Sequence, residues 1–202
     1  MSFYGFFIGI ALVVFINYFE KHHKSIPYAL IISAFLGARL YFVLGQLLYF
    51  IKNPTQILNT RAGGLGIFGG IIATVIYLLI YCKIKKINFI KFTDSFITIV
   101  PLSQAIGRIG NIVNREIYPV CIYELILDLI LFFILTKSKK SKTAIFVIGY
   151  SLIRLILEQF RTDALPYYLG SIFAIIGIIT GIILLNDKNL SWRQSRKKSY
   201  KF

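Results

Sequence analysis

The sequence predicts an all-α fold: a polytopic integral membrane bundle of about seven transmembrane helices, its N-terminus outside and its C-terminus in the cytoplasm. Three observations predict it. Of the 202 residues 57% are hydrophobic, with a mean hydropathy of +0.73, and they fall in long runs, as bilayer-spanning helices require. Lys and Arg collect in short gaps between those runs. Finally, the gaps alternate in charge. The loops after runs one, three and five and the tail hold 16 of the 23 Lys and Arg residues, the other loops 4 and the run interiors 3. That asymmetry sets the orientation, because Lys and Arg are retained on the cytoplasmic side. The same placement assigns the net charge of +15 to topology and anionic lipid headgroups. A nucleic-acid partner is not expected, since its binding would need one basic face.

The first run, residues 3–19, follows a start with no basic n-region and no small-residue cleavage site. It is read as a retained span. A loop with His22 and His23, expected to be solvated, leads to span two, residues 26–50, which contains Gly37-Ala38-Arg39. The next loop carries Arg61 and runs into the glycine-rich stretch from Gly63 to Gly70. Span three ends near Cys82, where Lys83 opens a basic loop. Span four starts near Asp94 and holds Ser103 through Glu116. A short link at Tyr118-Pro119 leads to span five, residues 120–135, closed by the Lys-rich loop 137–142. Span six covers residues 144–160 and span seven 167–185. The basic polar tail 186–202 completes a single transmembrane domain, 1–202. Cys82 and Cys121 fall near opposite faces and are not expected to pair.

Polar residues inside such spans need a reason. Arg108 alone costs roughly 2.5–3.5 kcal/mol on insertion scales. On a helix Gln104, Arg108, Asn111 and Arg115 form one polar stripe, and Tyr150, Arg154, Glu158 and Arg161 a second. Span five adds Tyr123, Glu124 and Asp128. Each member has a plain structural reading: Arg154 and Glu158 as an ion pair, Arg39 as partner to Asp94, Glu124 or Asp128, and the glycines as packing residues. Tyr4, Tyr167 and Tyr168 would be interface aromatics. Together, several arginines against few acids leave surplus positive charge toward the outer half of the membrane. Arginine's fork suits phosphate, so the set points to a phospholipid headgroup.

The residues also resemble a known family. Gly107-Arg108-Ile109-Gly110-Asn111, followed by Asn114 and Glu116, is similar to the signature of prolipoprotein diacylglyceryl transferases. In the same order stand Tyr4-Gly5, Gly37-Ala38-Arg39, the double-glycine pattern to Gly70, Asp94, Tyr118-Pro119 with Tyr123-Glu124, and Gly149-Tyr150 followed by Arg154, Glu158 and Arg161. The resemblance implies transfer of diacylglyceryl from phosphatidylglycerol to the lipobox cysteine of a prolipoprotein signal peptide, with release of glycerol phosphate. It implies no cofactor and no metal. It also implies catalytic roles for Arg108, Arg154 and Glu158. Tyr4, Arg39, Gly107, Gly110, Asn111, Asn114, Glu116, Tyr123, Glu124, Tyr150 and Arg161 would contact substrate. The expected site faces the outer leaflet of the bacterial cytoplasmic (inner) membrane.

The chain departs from the family at four places. Phe68 stands where many members have a histidine, the proposed thiol base. Pro119-Val120-Cys121 replaces Pro-Ser-Gln, and Arg115 replaces a glycine. The outer segment between spans four and five is nearly absent. Three readings stand at this point: the transferase itself, a divergent relative with another acceptor, and a phospholipid-binding bundle without catalysis.

Overall fold

The computed structural model describes residues 3–21, 26–59, 64–161 and 167–186. Expectations placed on His22, His23, Arg61, Gly63 and the tail lie outside those residues, as do those on the side chains of Tyr4, Tyr167 and Tyr168. The described residues are all-helical, without strands. Seven long helices match the seven expected runs: α1 (Phe3–Glu20), α2 (Ile26–Gly45), α4 (Ile67–Ile84), α6 (Ile99–Asn114), α7 (Val120–Lys137), α8 (Lys142–Leu157) and α9 (Tyr167–Asn186). Two short helices, α3 (Leu47–Lys52) and α5 (Phe89–Asp94), lie between them. All seven long helices expose large apolar side chains, such as Phe6, Leu36, Ile72, Val113, Phe133, Ile156 and Ile183. Water does not solvate so continuous an apolar exterior, but lipid does. Tyr28–Gly45 and Lys142–Phe160 are long and apolar enough to cross a membrane by length and composition, and Gly5–Glu20, Phe68–Ile84 and Gly170–Asn186 are shorter apolar helices.

Three expected boundaries differ, each for a local reason. The run 26–50 breaks at Gly45-Gln46, with Gln46 off helical geometry at φ −128° and ψ 39°; glycine is a weak helix residue at such a point. Span four does not open at Asp94, where α5 ends; α6 begins at Ile99 and carries Pro101 in its first turn, the part of a helix that tolerates proline's missing N–H. Helix α8 stops at Leu157 and passes through a 3₁₀ turn, Glu158–Phe160.

The chain divides into two units, Met1–His22 with Ile90–Phe202, and His23–Phe89. In the first, α1 packs on α6, α6 on α7, α7 on α8 and α8 on α9. Fully buried Phe19 of α1 meets Phe96 at 4.5 Å between ring centroids. Val120, Leu131, Leu135, Ile153 and Leu157 form the apolar seam of α7 and α8. Asp94 fixes the start of α8: its carboxylate accepts from the Thr143 backbone N–H and hydroxyl, both at 2.6 Å, and from the Ser141 hydroxyl at 3.2 Å. A carboxylate there caps free N–H groups and opposes the helix dipole. Asp94 is thus the anchor of α8 rather than the opening of α6.

In the second unit α2 packs on α4. A Cβ on Gly37 would stand 2.5 Å from the Gly69 carbonyl oxygen, and one on Gly69 would overlap the Gly37 carbonyl. Gly64, at φ +81°, is in the left-handed region, and a Cβ there would lie 2.5 Å from Arg39 Nη1. The helix-packing reading of these glycines therefore holds for Gly69 and for Gly70, whose Cβ would meet Ala34 O at 3.1 Å, while Gly64 serves the loop before α4. Gly69→Ala is expected to destabilise the protein by about 1–3 kcal/mol through overpacking, read as a lower midpoint of thermal unfolding in detergent. An unchanged midpoint would show that α2 and α4 separate freely.

Candidate active site

Helix α6 ends in a tight C-terminal turn that sets the site's rim. Arg115 adopts the left-handed conformation at φ 55°, its N–H bonding Ile112 O at 3.1 Å while the Glu116 N–H reaches Asn111 O at 2.8 Å. That turn normally favours glycine, and here an arginine accepts it. Arg115 consequently leaves the α6 stripe and faces outward. The turn brings the Glu116 carboxylate back over the helix, where Asn111 Nδ2 donates to it at 3.1 Å and Asn114 Nδ2 at 3.2 Å. With its Nδ2 so occupied, buried Asn111 presents Oδ1 to Arg108 Nη1 at 3.4 Å. Glu116, Asn111 and Arg108 thus form a chain of contacts ending in a guanidinium.

The centre of the site is the carboxylate of Glu124, one turn into α7, with its side chain only 2% exposed. Arg108 Nε lies 3.0 Å from Glu124 Oε2. On the other oxygen, Oε1, Arg161 Nη1 donates a hydrogen bond of 2.6 Å and Arg154 Nη1 approaches to 3.6 Å. Arg154 Nη2 in turn sits 2.5 Å from Glu158 Oε2 in an i,i+4 ion pair. The Arg108 and Arg154 contacts are ion pairs without hydrogen-bond alignment. Arg161 has left α8, in extended conformation beyond the 3₁₀ turn. The second stripe therefore holds only through Glu158, and its last arginine reaches Glu124 from the following segment.

Three guanidiniums face two paired carboxylates, an excess of one positive charge, smaller than the surplus the sequence suggests. Asp128 lies one turn further along α7 and is 2% exposed. The acids lie innermost. The Arg108 and Arg154 side chains keep 18% and 23% exposure. Among the described residues, Arg108 Nη2 and Arg154 Nε make no hydrogen bond or ion pair. This arrangement offers N–H groups to an anion while buried carboxylates hold the guanidiniums from behind.

Tyr150 stacks on Phe146 at 5.7 Å and lies within electrostatic reach of Arg154, Arg108, Asp128 and Glu124. A Cβ on Gly107 would meet nothing within 4 Å, so the surface beside Arg108 is open, whereas Gly110 is buried in α6. Tyr123 is 55% exposed. Arg39 belongs to the other unit, where its guanidinium donates to the carbonyls of Ile57, Gly64, Gln56 and Asn59 at 2.6–2.9 Å. Those four bonds hold that loop against α2. Phe68, also in that unit, faces Tyr41 at 6.5 Å between centroids.

Sequence reasoning missed Gly170. A Cβ at that position on α9 would overlap the Glu158 carboxylate and lie 2.8 Å from its Cγ. Gly170 therefore makes the room in which Glu158 meets Arg154. The nearest signal in the sequence was the spacing of Gly170, Gly177 and Gly181 on one helix. Gly170→Ala is expected to displace Glu158 and lower turnover about tenfold or more, since small misplacements at a site are costly, with little change in thermal midpoint. A rate equal to wild type would show that Glu158 does not position Arg154.

The family model described as prolipoprotein diacylglyceryl transferase matches residues 1–186. Three bacterial relatives are named phosphatidylglycerol–prolipoprotein diacylglyceryl transferase. The one from Finegoldia magna is 33% identical across 89% of this chain and 84% of its own length. That from Clostridioides difficile is 36% identical across 75% and 73%, and that from Streptococcus uberis 29% across 88% and 86%. With the family model spanning nearly all of its length, this chain belongs to the prolipoprotein diacylglyceryl transferase family.

Proposed function

We propose that this chain is a phosphatidylglycerol–prolipoprotein diacylglyceryl transferase, and that Arg108 and Arg154 form the cradle for the lipid phosphate. The observation that carries the reading is the pair of half-buried guanidiniums with uncommitted N–H groups, backed by Glu124 and Glu158. In the reaction a cysteine sulfur of the lipobox forms a bond to a glycerol carbon of phosphatidylglycerol. The bond from that carbon to the phosphate oxygen breaks, the thiol proton passes to a base, and glycerol phosphate leaves. Negative charge grows on the leaving phosphate, so fixed guanidiniums stabilise the transition state more than the bound lipid. Asn111 and Glu116 orient Arg108, Glu158 orients Arg154, and Tyr150 lines the site. Phe68 has no group that accepts a proton.

The topology belongs to the same proposal: seven spans, the N-terminus outside, and the site toward the outer leaflet of the bacterial cytoplasmic membrane. Charge supports it. The cluster lies at the end of the first unit where Arg115 and Arg161 are the flanking loop cations. The opposite end, where Asp94 meets Ser141 and Thr143, is flanked by Lys91 and by Lys137, Lys139, Lys140 and Lys142. The end poor in Lys and Arg is the one retained outside. Helix α6, with 16 residues, is about 24 Å long at 1.5 Å per residue. It is shorter than the hydrocarbon core, which suits a helix presenting polar residues near one interface.

The purified protein, given labelled phosphatidylglycerol and a lipobox peptide, is expected to yield the thioether peptide and glycerol phosphate. Product with an unrelated thiol but none with the lipobox peptide would move the reading to another acceptor. Arg108→Ala and Arg154→Ala are each expected to lower the rate about a hundredfold or more while membrane insertion is kept; wild-type rates in either would refute the cradle. Phe68→His is expected to be tolerated or to raise the rate at neutral pH. An inactive, well-folded variant would show that the ring's packing against Tyr41 is what the site needs.

A further inference from the structure

Transfer to a thiol requires a group that takes the thiol proton, and the buried acids of the cradle are not free to do so. Glu124 and Glu158 hold Arg108, Arg154 and Arg161, and protonating either carboxylate would break the pairs that fix the guanidiniums. Their side chains, at 2% exposure, are also closed to the thiol of a peptide. So is Asp128, at 2%. Two further described acids stand at the other end of the unit. Asp94 caps α8 there. Glu20 follows Phe19, whose ring meets those of Phe92 and Phe96 on either side of Asp94 in the chain.

Glu116 is the described acid that is left, and it differs in each respect. It lies beyond the end of α6, exposed, in the turn that forms the rim of the site. Among the described residues no Lys or Arg forms an ion pair with it. Its partners are neutral amides: Asn111 Nδ2 donates to Oε2 at 3.1 Å and Asn114 Nδ2 to Oε1 at 3.2 Å. An ionised carboxylate has about four acceptor positions, so each oxygen keeps one for a further donor. The same Asn111 amide meets Arg108 Nη1 through its Oδ1 at 3.4 Å. One amide group therefore separates the Glu116 carboxylate from a guanidinium of the cradle. That short separation suits the displacement, in which the thiol attacks a glycerol carbon bonded directly to a phosphate oxygen, from the side opposite that oxygen.

We propose that Glu116 is the catalytic base that accepts the thiol proton of the lipobox cysteine. The inference rests on the transferase reading of the same site. The S–H proton passes to a Glu116 oxygen as the sulfur–carbon bond forms. The bond from that carbon to the phosphate oxygen breaks, and its electron pair leaves with glycerol phosphate. Because Glu116 is exposed, it returns the proton to water before the next turnover. A carboxylate is ordinarily a weaker base than a thiolate. The nearby Arg108 guanidinium offsets this, since a cation beside a thiol favours its ionised form.

The test gives the full-length protein in detergent labelled phosphatidylglycerol and one of two lipobox peptides, with cysteine or selenocysteine at the acceptor position. The selenol is ionised at neutral pH and needs no base. Wild type is expected to lipidate both peptides. Glu116→Gln is expected to lose about a hundredfold with the cysteine peptide, the scale of a lost general base, and to stay close to the wild-type rate with the selenocysteine peptide. Its deficit with cysteine is expected to shrink as pH rises toward the thiol's own pKa, roughly 8.5. A residue that only orients Arg108 would slow both peptides alike at every pH. Equal loss with the two peptides, or a wild-type rate of Glu116→Gln with cysteine, would overturn this inference and leave the transferase reading standing. No thioether or selenoether product from wild type would overturn the transferase reading and this inference with it.

Discussion

The Glu124 carboxylate is the constraint on which the rest of the site depends. Its two oxygens, buried in α7, meet guanidiniums from α6, from α8 and from the segment after α8. Placing one carboxylate and three arginines at that depth is costly unless each satisfies the others. Removing one partner from a buried pair typically costs about 3–5 kcal/mol, so Glu124 holds three elements in one arrangement. The order of packing follows from this, with α6 on α7 and α7 on α8. The Arg108 and Arg154 side chains keep 18% and 23% exposure, while the Glu124 and Glu158 side chains keep 2%.

Around that centre, other residues fix orientation. Glu116 turns Asn111 so that its carbonyl oxygen faces Arg108. Gly170 leaves space for Glu158, which meets Arg154. Asp94 anchors the far end of α8 through Thr143 and Ser141, so that Arg154 reaches the cluster from a helix fixed at its start. The site is thereby preorganised by contacts at both ends of α8, as stabilisation of a developing charge requires.

Much of this was legible in the sequence. Seven apolar runs became seven long helices, because run length and charge-rich gaps are set by the solvent around each helix. The spacing of Arg108 with Asn111, and of Arg154 with Glu158, placed each pair on one helical face. What spacing missed was where helices end. Arg115 and Arg161 continue the stripes on paper, but a left-handed turn and a 3₁₀ turn carry both off their helices. Arg39 could not be placed from sequence either, since its partners are loop carbonyls, which carry no residue signature. Gly170 was hidden for a similar reason: its meaning lies in a carboxylate on a different helix. The end of the glycine-rich stretch, in the first turn of α4, proved to be a packing motif of the second unit, where Gly69 and Gly37 of α2 bring two backbones together.

The central claim is that the phosphate of phosphatidylglycerol sits on Arg108 and Arg154. A structure of the protein determined in nanodiscs rich in phosphatidylglycerol tests it most directly. The phosphate oxygens are expected within hydrogen-bond distance of both guanidiniums, with Glu124 behind them and no protein carboxylate between. A lipid phosphate resolved elsewhere, with Arg108 and Arg154 facing only Glu124 and Glu158, would contradict it.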